Sequence, residues 1–192
     1  MSNRRTAVQY DVVDLIMQDH REVERLWDEL KNHPEKRPLL TPVMCGLLVA
    51  HSRAEESEVY PVAIKEAGES DEVEHSQEEH AEAEQLLAKL LDCDWDSPQY
   101  DEALKKVVDA VSHHVEEEEK TVLPGMRTKL SAERRYQLGE RFAASRAEHL
   151  GELPGQATRE ELLTQARNLG LSNASSMSKE QLKRELQKAA SE

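Results

Sequence analysis

Aromatic residues are scarce, at 4% with a single Phe. A core of stacked rings is therefore excluded, and Leu, Val, Ile and Ala must fill the interior. Two cysteines, Cys45 and Cys93, stand outside any CxxC spacing. That argues against a disulfide framework and for a reducing compartment. Seven Gly and seven Pro are few for a chain of many tight turns. No apolar run approaches the roughly 18 residues that span a bilayer, so no membrane partner is expected. The first residues, MSNRRTAVQYD, contain no signal-peptide apolar stretch, and the expected location is the cytoplasm. Positive charge is outweighed, with 25 Lys+Arg against 39 Asp+Glu and a net charge of -14. Such a field disfavours a phosphate-facing surface and attracts cations.

What the 192 residues do contain is 33% charged side chains and 38% hydrophobic ones, a mix that favours solvated helices. A first helix is expected from about Tyr10 to Lys31, with Val13, Ile16, His20, Val23, Trp27 and Leu30 on one stripe. A second is expected to open with Thr41 as N-cap and Pro42 at its first position. It carries Met44, Leu47, His51, Ala54, Glu55 and Glu58 on one face; Pro61 should kink or end it, and Gly68 should stop any continuation. A third covers roughly Asp71 to Leu91. A fourth starts at Ser97-Pro98 and stops at Pro124-Gly125, and a fifth, about Ser131 to Leu150, should pack outside the bundle. No strand pattern is present. The expected fold is all-α, an up-down-up-down four-helix bundle with an extra helix.

The first four helices are two copies of one unit. Asp19-His20 is followed 31 residues after His20 by His51, and Glu79-His80 is followed 34 residues after His80 by His114. HSRAEESEVYP begins at His51 and HVEEEEKTVLP at His114; each has Glu four and five residues after the His. A repeated helix pair can be purely architectural. Here the four histidines lie on the inward stripes, with Glu55 and Glu118 one turn beyond two of them. Six polar groups inside an apolar bundle are costly unless paired. A fully satisfied His-Glu network without metal is demanding; metal coordination satisfies all six together. Cysteine is absent from the stripe and an all-oxygen cage would not use four His, so the donor set suits iron, manganese or zinc.

The ordered set of His20, His51 with Glu55, His80, and His114 with Glu118 resembles the hemerythrin-like family, the HHE cation-binding domain, over roughly residues 10–125. The resemblance implies a centre of two iron ions, oxo- or hydroxo-bridged. Oxygen-carrying hemerythrins have two His one turn apart on the third helix. Here the second candidate, His75, lies five residues before His80 and should be turned about 140° away. Glu58 is the other candidate for an extra ligand or a supporting residue. If both stay out, the centre is more open than an oxygen carrier's and suits reaction with a small oxidant such as hydrogen peroxide, in stress defence. The alternative is a protein that binds or senses dioxygen, nitric oxide or iron without turnover. Glu24 and Glu84 read as solvated edges, and His33, His113 and His149 fall outside the pattern.

Residues 1–153 carry a balance of -15 and residues 154–192 one of +1, a step that marks a boundary. The bundle and fifth helix are assigned to 1–150, a linker to 151–157 and a helix-loop-helix module to 158–192. In the last, Thr158-x-x-Glu161 and Ser178-x-x-Gln181 are capping-box patterns. The stretch resembles SAP-like or Rho-N-terminal modules, which often bind nucleic acid. Lys179, Lys183, Arg184 and Lys188 form a modest basic edge, and a protein-docking role is at least as well supported.

Overall fold

The computed structural model describes residues 10–190. The reading of residues 1–9 as lacking a leader falls outside them, as do the last two residues of the C-terminal segment. Among the described residues every regular element is helical, and no helix is long and apolar enough to cross a membrane.

Helix α1 (Val12–Asn32) starts where the Asp11 carboxylate accepts the Val13 N–H. Helix α2 (Arg37–Ala54) starts four residues earlier than Thr41. Pro38 takes the first turn, and Thr41 does not cap because its hydroxyl bonds the Tyr100 hydroxyl at 2.6 Å. The buried Arg37 fixes this start, donating to the Trp95 carbonyl at 3.0 Å and to Asp101 at 2.6 Å. Pro42 therefore stands inside the helix.

Pro61 does not end the second helical run. The chain passes through a π turn (Glu55–Val59), a short α3 (Tyr60–Val62) and a second π turn (Ala63–Ala67). A π turn inserts one residue into the winding, and such turns gather at functional sites. Gly68, at φ 77°, then closes the run in the left-handed region open to glycine. Helix α4 is Ser70–Leu91, and α5 (Pro98–Lys120) is capped by Ser97 as its sequence predicts. The break after α5 comes at Thr121, and α6 (Val122–Lys129) runs through Pro124-Gly125. Pro124 sits in the first turn of α6, where its missing N–H costs nothing.

Helix α1 packs on α2 and α5, and α4 on α2 and α5, the neighbour order of an up-down-up-down bundle. Two apolar clusters divide its length. One holds Ile16, Tyr60, Val73 and Leu123; the other holds Val23, Leu48, Leu87 and Val111. His20, His51, His80 and His114 lie between them in every helix.

The fifth helix, α7 (Ala132–His149), does not pack outside this core. It lies against α1 and α2, and Leu138 and Phe142 are fully buried. At Gly139 an added Cβ would stand 2.1 Å from the Tyr10 carbonyl oxygen, so glycine permits the close approach. Helices α8 (Arg159–Asn168) and α9 (Lys179–Ala189) share a small cluster of Leu162, Ala166, Leu169, Leu182 and Leu186. Both capping boxes are formed. Helix α8 also packs on α4 and the first π turn.

Replacing Phe142 by Ala should destabilise the fold by about 3–5 kcal/mol, since α7 is core. A loss under about 1 kcal/mol in denaturant unfolding would return α7 to the periphery.

Candidate metal centre

The six side chains of the HxxxE pattern converge. His20, His51, His80 and His114 are 3–6% exposed, and Glu55 and Glu118 are 0% exposed. Ligand atoms of His20, His51, Glu55 and Glu118 form one group within 4.8 Å of one another; Glu55, His80 and His114 form a second. Glu55 belongs to both. The Nε2 of His51 lies 3.1 Å from Glu55, that of His80 lies 3.4 Å from Glu55, and that of His20 lies 3.4 Å from Glu118.

Three of the histidines are held from outside by a carboxylate hydrogen-bonded at Nδ1, and the fourth, His80, has a carboxylate nearby without a hydrogen bond. Glu119 takes His20 at 2.9 Å, Asp19 takes His51 at 3.2 Å, and Glu79 takes His114 at 2.9 Å. Glu56 approaches His80 at 3.4 Å. A carboxylate only accepts, so Nδ1 carries a proton, and in the neutral ring Nε2 is left with its lone pair facing inward. The arrangement follows the repeat. The residue before each first histidine (Asp19, Glu79) holds the second histidine of its own copy. The residue after each inward glutamate (Glu56, Glu119) holds the first histidine of the other copy. Three of these carboxylates are backed by arginine: Asp19 by Arg146 of α7, Glu119 by Arg21, and Glu56 by Arg53.

The interior atoms are left short of partners. Nε2 of His20 and His51 and both oxygens of Glu55 and Glu118 are buried without a hydrogen bond. Burial disfavours the His51 cation, yet Glu55 and Asp19 outweigh it and raise its pKa to about 10. His80 is likewise penalised by burial but raised to about 9 by Glu55 and Glu56. Without another cation, the two carboxylates draw protons onto the imidazoles. Lone pairs aimed at a common space, beside carboxylates that need positive charge, are the donor set of a metal ion. The residues fit one.

That geometry agrees with the comparisons. The profile of the Hemerythrin HHE cation binding domain matches residues 11–126. This chain belongs to the hemerythrin HHE cation-binding family. It is also 31% identical over 150 residues to a protein of Nostoc sp. named "DNA nickase". The match takes in 77% of this chain but only 42% of that longer protein. No solved structure matches.

The two outlying candidates sit apart from this HHE centre. His75 has a side chain 55% exposed. Glu58 pairs with Arg141 of α7. Seven residues after His51 is the same face of an α-helix, but the π turn at Glu55–Val59 shifts the winding and brings Glu56 inward instead. Glu84 is not a free edge either, because it accepts from Arg53 at 2.9 Å and from the Gly155 N–H at 2.8 Å.

Sequence reasoning missed Glu56, Asp19, Glu79, Glu119 and Tyr60. The first four were signalled by their recurrence in both copies. Tyr60 had no such signal. It is fully buried, its hydroxyl lies 3.1 Å from His80 Nε2, and burial with Glu55 and Glu118 holds its phenol well above the usual range. It remains a neutral hydroxyl inside the centre.

Helix α8 completes the shell. Gln165 donates to the Glu56 carboxylate at 3.0 Å; Asn168 donates to the Glu56 carbonyl at 3.0 Å and to Gln77 at 2.9 Å.

Asp19→Ala should weaken metal retention by about 10- to 100-fold in chelator competition, because His51 loses its orienting partner. Unchanged retention would mean that the carboxylate is dispensable. Asn168→Ala leaves two buried acceptors unfilled and should cost about 1–3 kcal/mol of folding stability, read by denaturant titration.

Proposed function

We propose that the centre holds two iron ions and that the protein consumes hydrogen peroxide in the cytoplasm as part of oxidative-stress defence. The observation that carries the two-ion reading is Glu55, which belongs to both ligand groups and so stands where a bridging carboxylate would. His20, His51 and Glu118 would complete one ion's protein ligands, and His80 and His114 the other's. When bound, the iron pair supplies the electron transfer by which one peroxide is oxidised to dioxygen and another reduced to water.

The chain's own share is orientation and exclusion. Glu119, Asp19 and Glu79 orient His20, His51 and His114 through Nδ1 so that their Nε2 atoms face inward, and Glu56 lies beside Nδ1 of His80. Tyr60 keeps its proton on Oη, 3.1 Å from His80 Nε2, as a neutral hydrogen-bonding group beside the inward nitrogens. Val23, Leu48, Leu87, Val111 and Val115 line the adjoining cavity with hydrocarbon. That cavity has a volume of about 30 Å³, room for roughly two waters. Peroxide or a diatomic fits; a nucleotide does not.

The name of the Nostoc relative favours a second reading, action on DNA, with the basic edge of the SAP-like segment 158–192 as contact. The enclosed centre and the charge of -14 place it below the first. A third reading is a sensor or carrier of dioxygen, nitric oxide or iron.

Metal analysis of the purified chain, followed by peroxide addition, separates these readings. The expected outcome is about two irons per chain, with oxygen evolution that falls at least about 100-fold in a His51→Ala, His114→Ala double variant. Two irons without peroxide loss would turn the reading to sensing or carriage. Metal-dependent nicking of supercoiled DNA would turn it to the second reading, and absence of iron would sink the first.

A further inference from the structure

Three of the four carboxylates that hold the inner histidines are neutralised from behind by an arginine. Glu79 is the exception. One of its oxygens takes the His114 Nδ1–H at 2.9 Å. The other has no hydrogen-bond partner, although the side chain is only 10% exposed. In place of an arginine, two imidazoles face that oxygen. His75 Nε2 stands 3.5 Å from it and His113 Nε2 3.7 Å. The rings meet edge to face at 6.5 Å, and the three ligand atoms lie within 4.8 Å of one another.

We propose that His75, Glu79 and His113 form a second, solvent-facing site for a divalent transition-metal ion. Ligand atoms about 2.0–2.2 Å from an ion at tetrahedral angles stand about 3.3–3.6 Å apart. The two Glu79 distances are already close to that edge, so small side-chain rotations complete the geometry. Two imidazoles with one carboxylate select zinc, copper, nickel or iron over magnesium or calcium. The remaining positions face water.

The surroundings suit a cation. His75 also borders a surface groove lined by Asp71, Glu72 and Glu117, and Glu78 stands 3.9 Å from its Nδ1. An ion here supplies the positive charge that arginine provides at the other three positions. Because Glu79 touches both this ion and His114, loading the outer site draws electron density from the carboxylate that orients His114. That coupling rests on the reading of the buried centre as metal-binding; the outer site does not.

Zinc is the probe. Equilibrium dialysis of the full chain should show one zinc fewer per chain in a His75→Ala, His113→Ala double variant than in the wild type. Each single variant should weaken that zinc by at least about tenfold. Both side chains are more than half exposed, so the fold should survive, and circular dichroism checks it. Imidazole NMR of the wild-type chain gives an independent reading, since zinc should shift the His75 and His113 ring signals. Equal stoichiometry in wild type and double variant, or zinc that leaves both rings unshifted, overturns the proposal. Failure of the buried centre to take metal would leave the one-ion difference intact, so the two readings fail separately.

Discussion

Glu55 and Glu118 are wholly buried, and none of their oxygens accepts a hydrogen bond. An ionised carboxylate in such a place costs several kcal/mol unless positive charge reaches it. The whole middle layer of the bundle answers that requirement. Four imidazoles face the carboxylates, four outer carboxylates hold the imidazoles, and arginines back three of those. Charge alternates outward from the centre until it reaches solvent. The apolar clusters above and below carry the folding free energy, and the polar layer between them fixes the register of the helices. A slide of any one helix by a single residue would leave a histidine in hydrocarbon and a carboxylate unpaired.

This constraint explains why the extra elements are not peripheral. Helix α7 supplies Arg146 to Asp19 and Phe142 to the edge of the His51 ring, at 5.8 Å. Helix α8 supplies Gln165 to Glu56. Helices α7 and α8 thus each cover one of the outer carboxylates. His149, at the end of α7, meets Glu152 at 3.0 Å and Glu161 at 3.5 Å, so the connecting segment is tied as well.

Much of this was legible in the sequence because burial of polar groups leaves a periodic trace. The stripes of α1, α4 and α5 and the six inward residues follow from spacings of three and four. The caps at Ser97, Thr158 and Ser178 follow from local chemistry that tertiary contacts do not disturb. Other features escaped for physical reasons. Thr41 and Pro42 carry a sound N-cap signal, but Arg37 and Tyr100 give Thr41 a better partner in space. Pro61 reads as a kink or a stop, and the π turn that precedes it, which no local signal gives, exchanges Glu58 for Glu56. Helix α7 has a weakly amphipathic sequence, so nothing local reveals that Phe142 lies against a ring from another helix.

The two halves of the repeat began with equivalent side chains and are finished differently. Asp19 lies beneath α7, Glu56 beneath α8, and Glu119 beside Arg21. Glu119 and Glu79 instead meet side chains that are themselves largely in water, Arg21 for the first and His75 with His113 for the second. The pseudo-symmetric centre therefore has a closed flank and an open one. Exchange of protons or ions with solvent is resisted wherever a helix and an arginine must move together, because both packing and charge are lost at once. At Glu79 only two surface rings need turn. The asymmetry lies in what surrounds the four outer carboxylates rather than in the inward residues, so a repeat that looks even at the centre is covered by helices on one side and bordered by exposed side chains on the other.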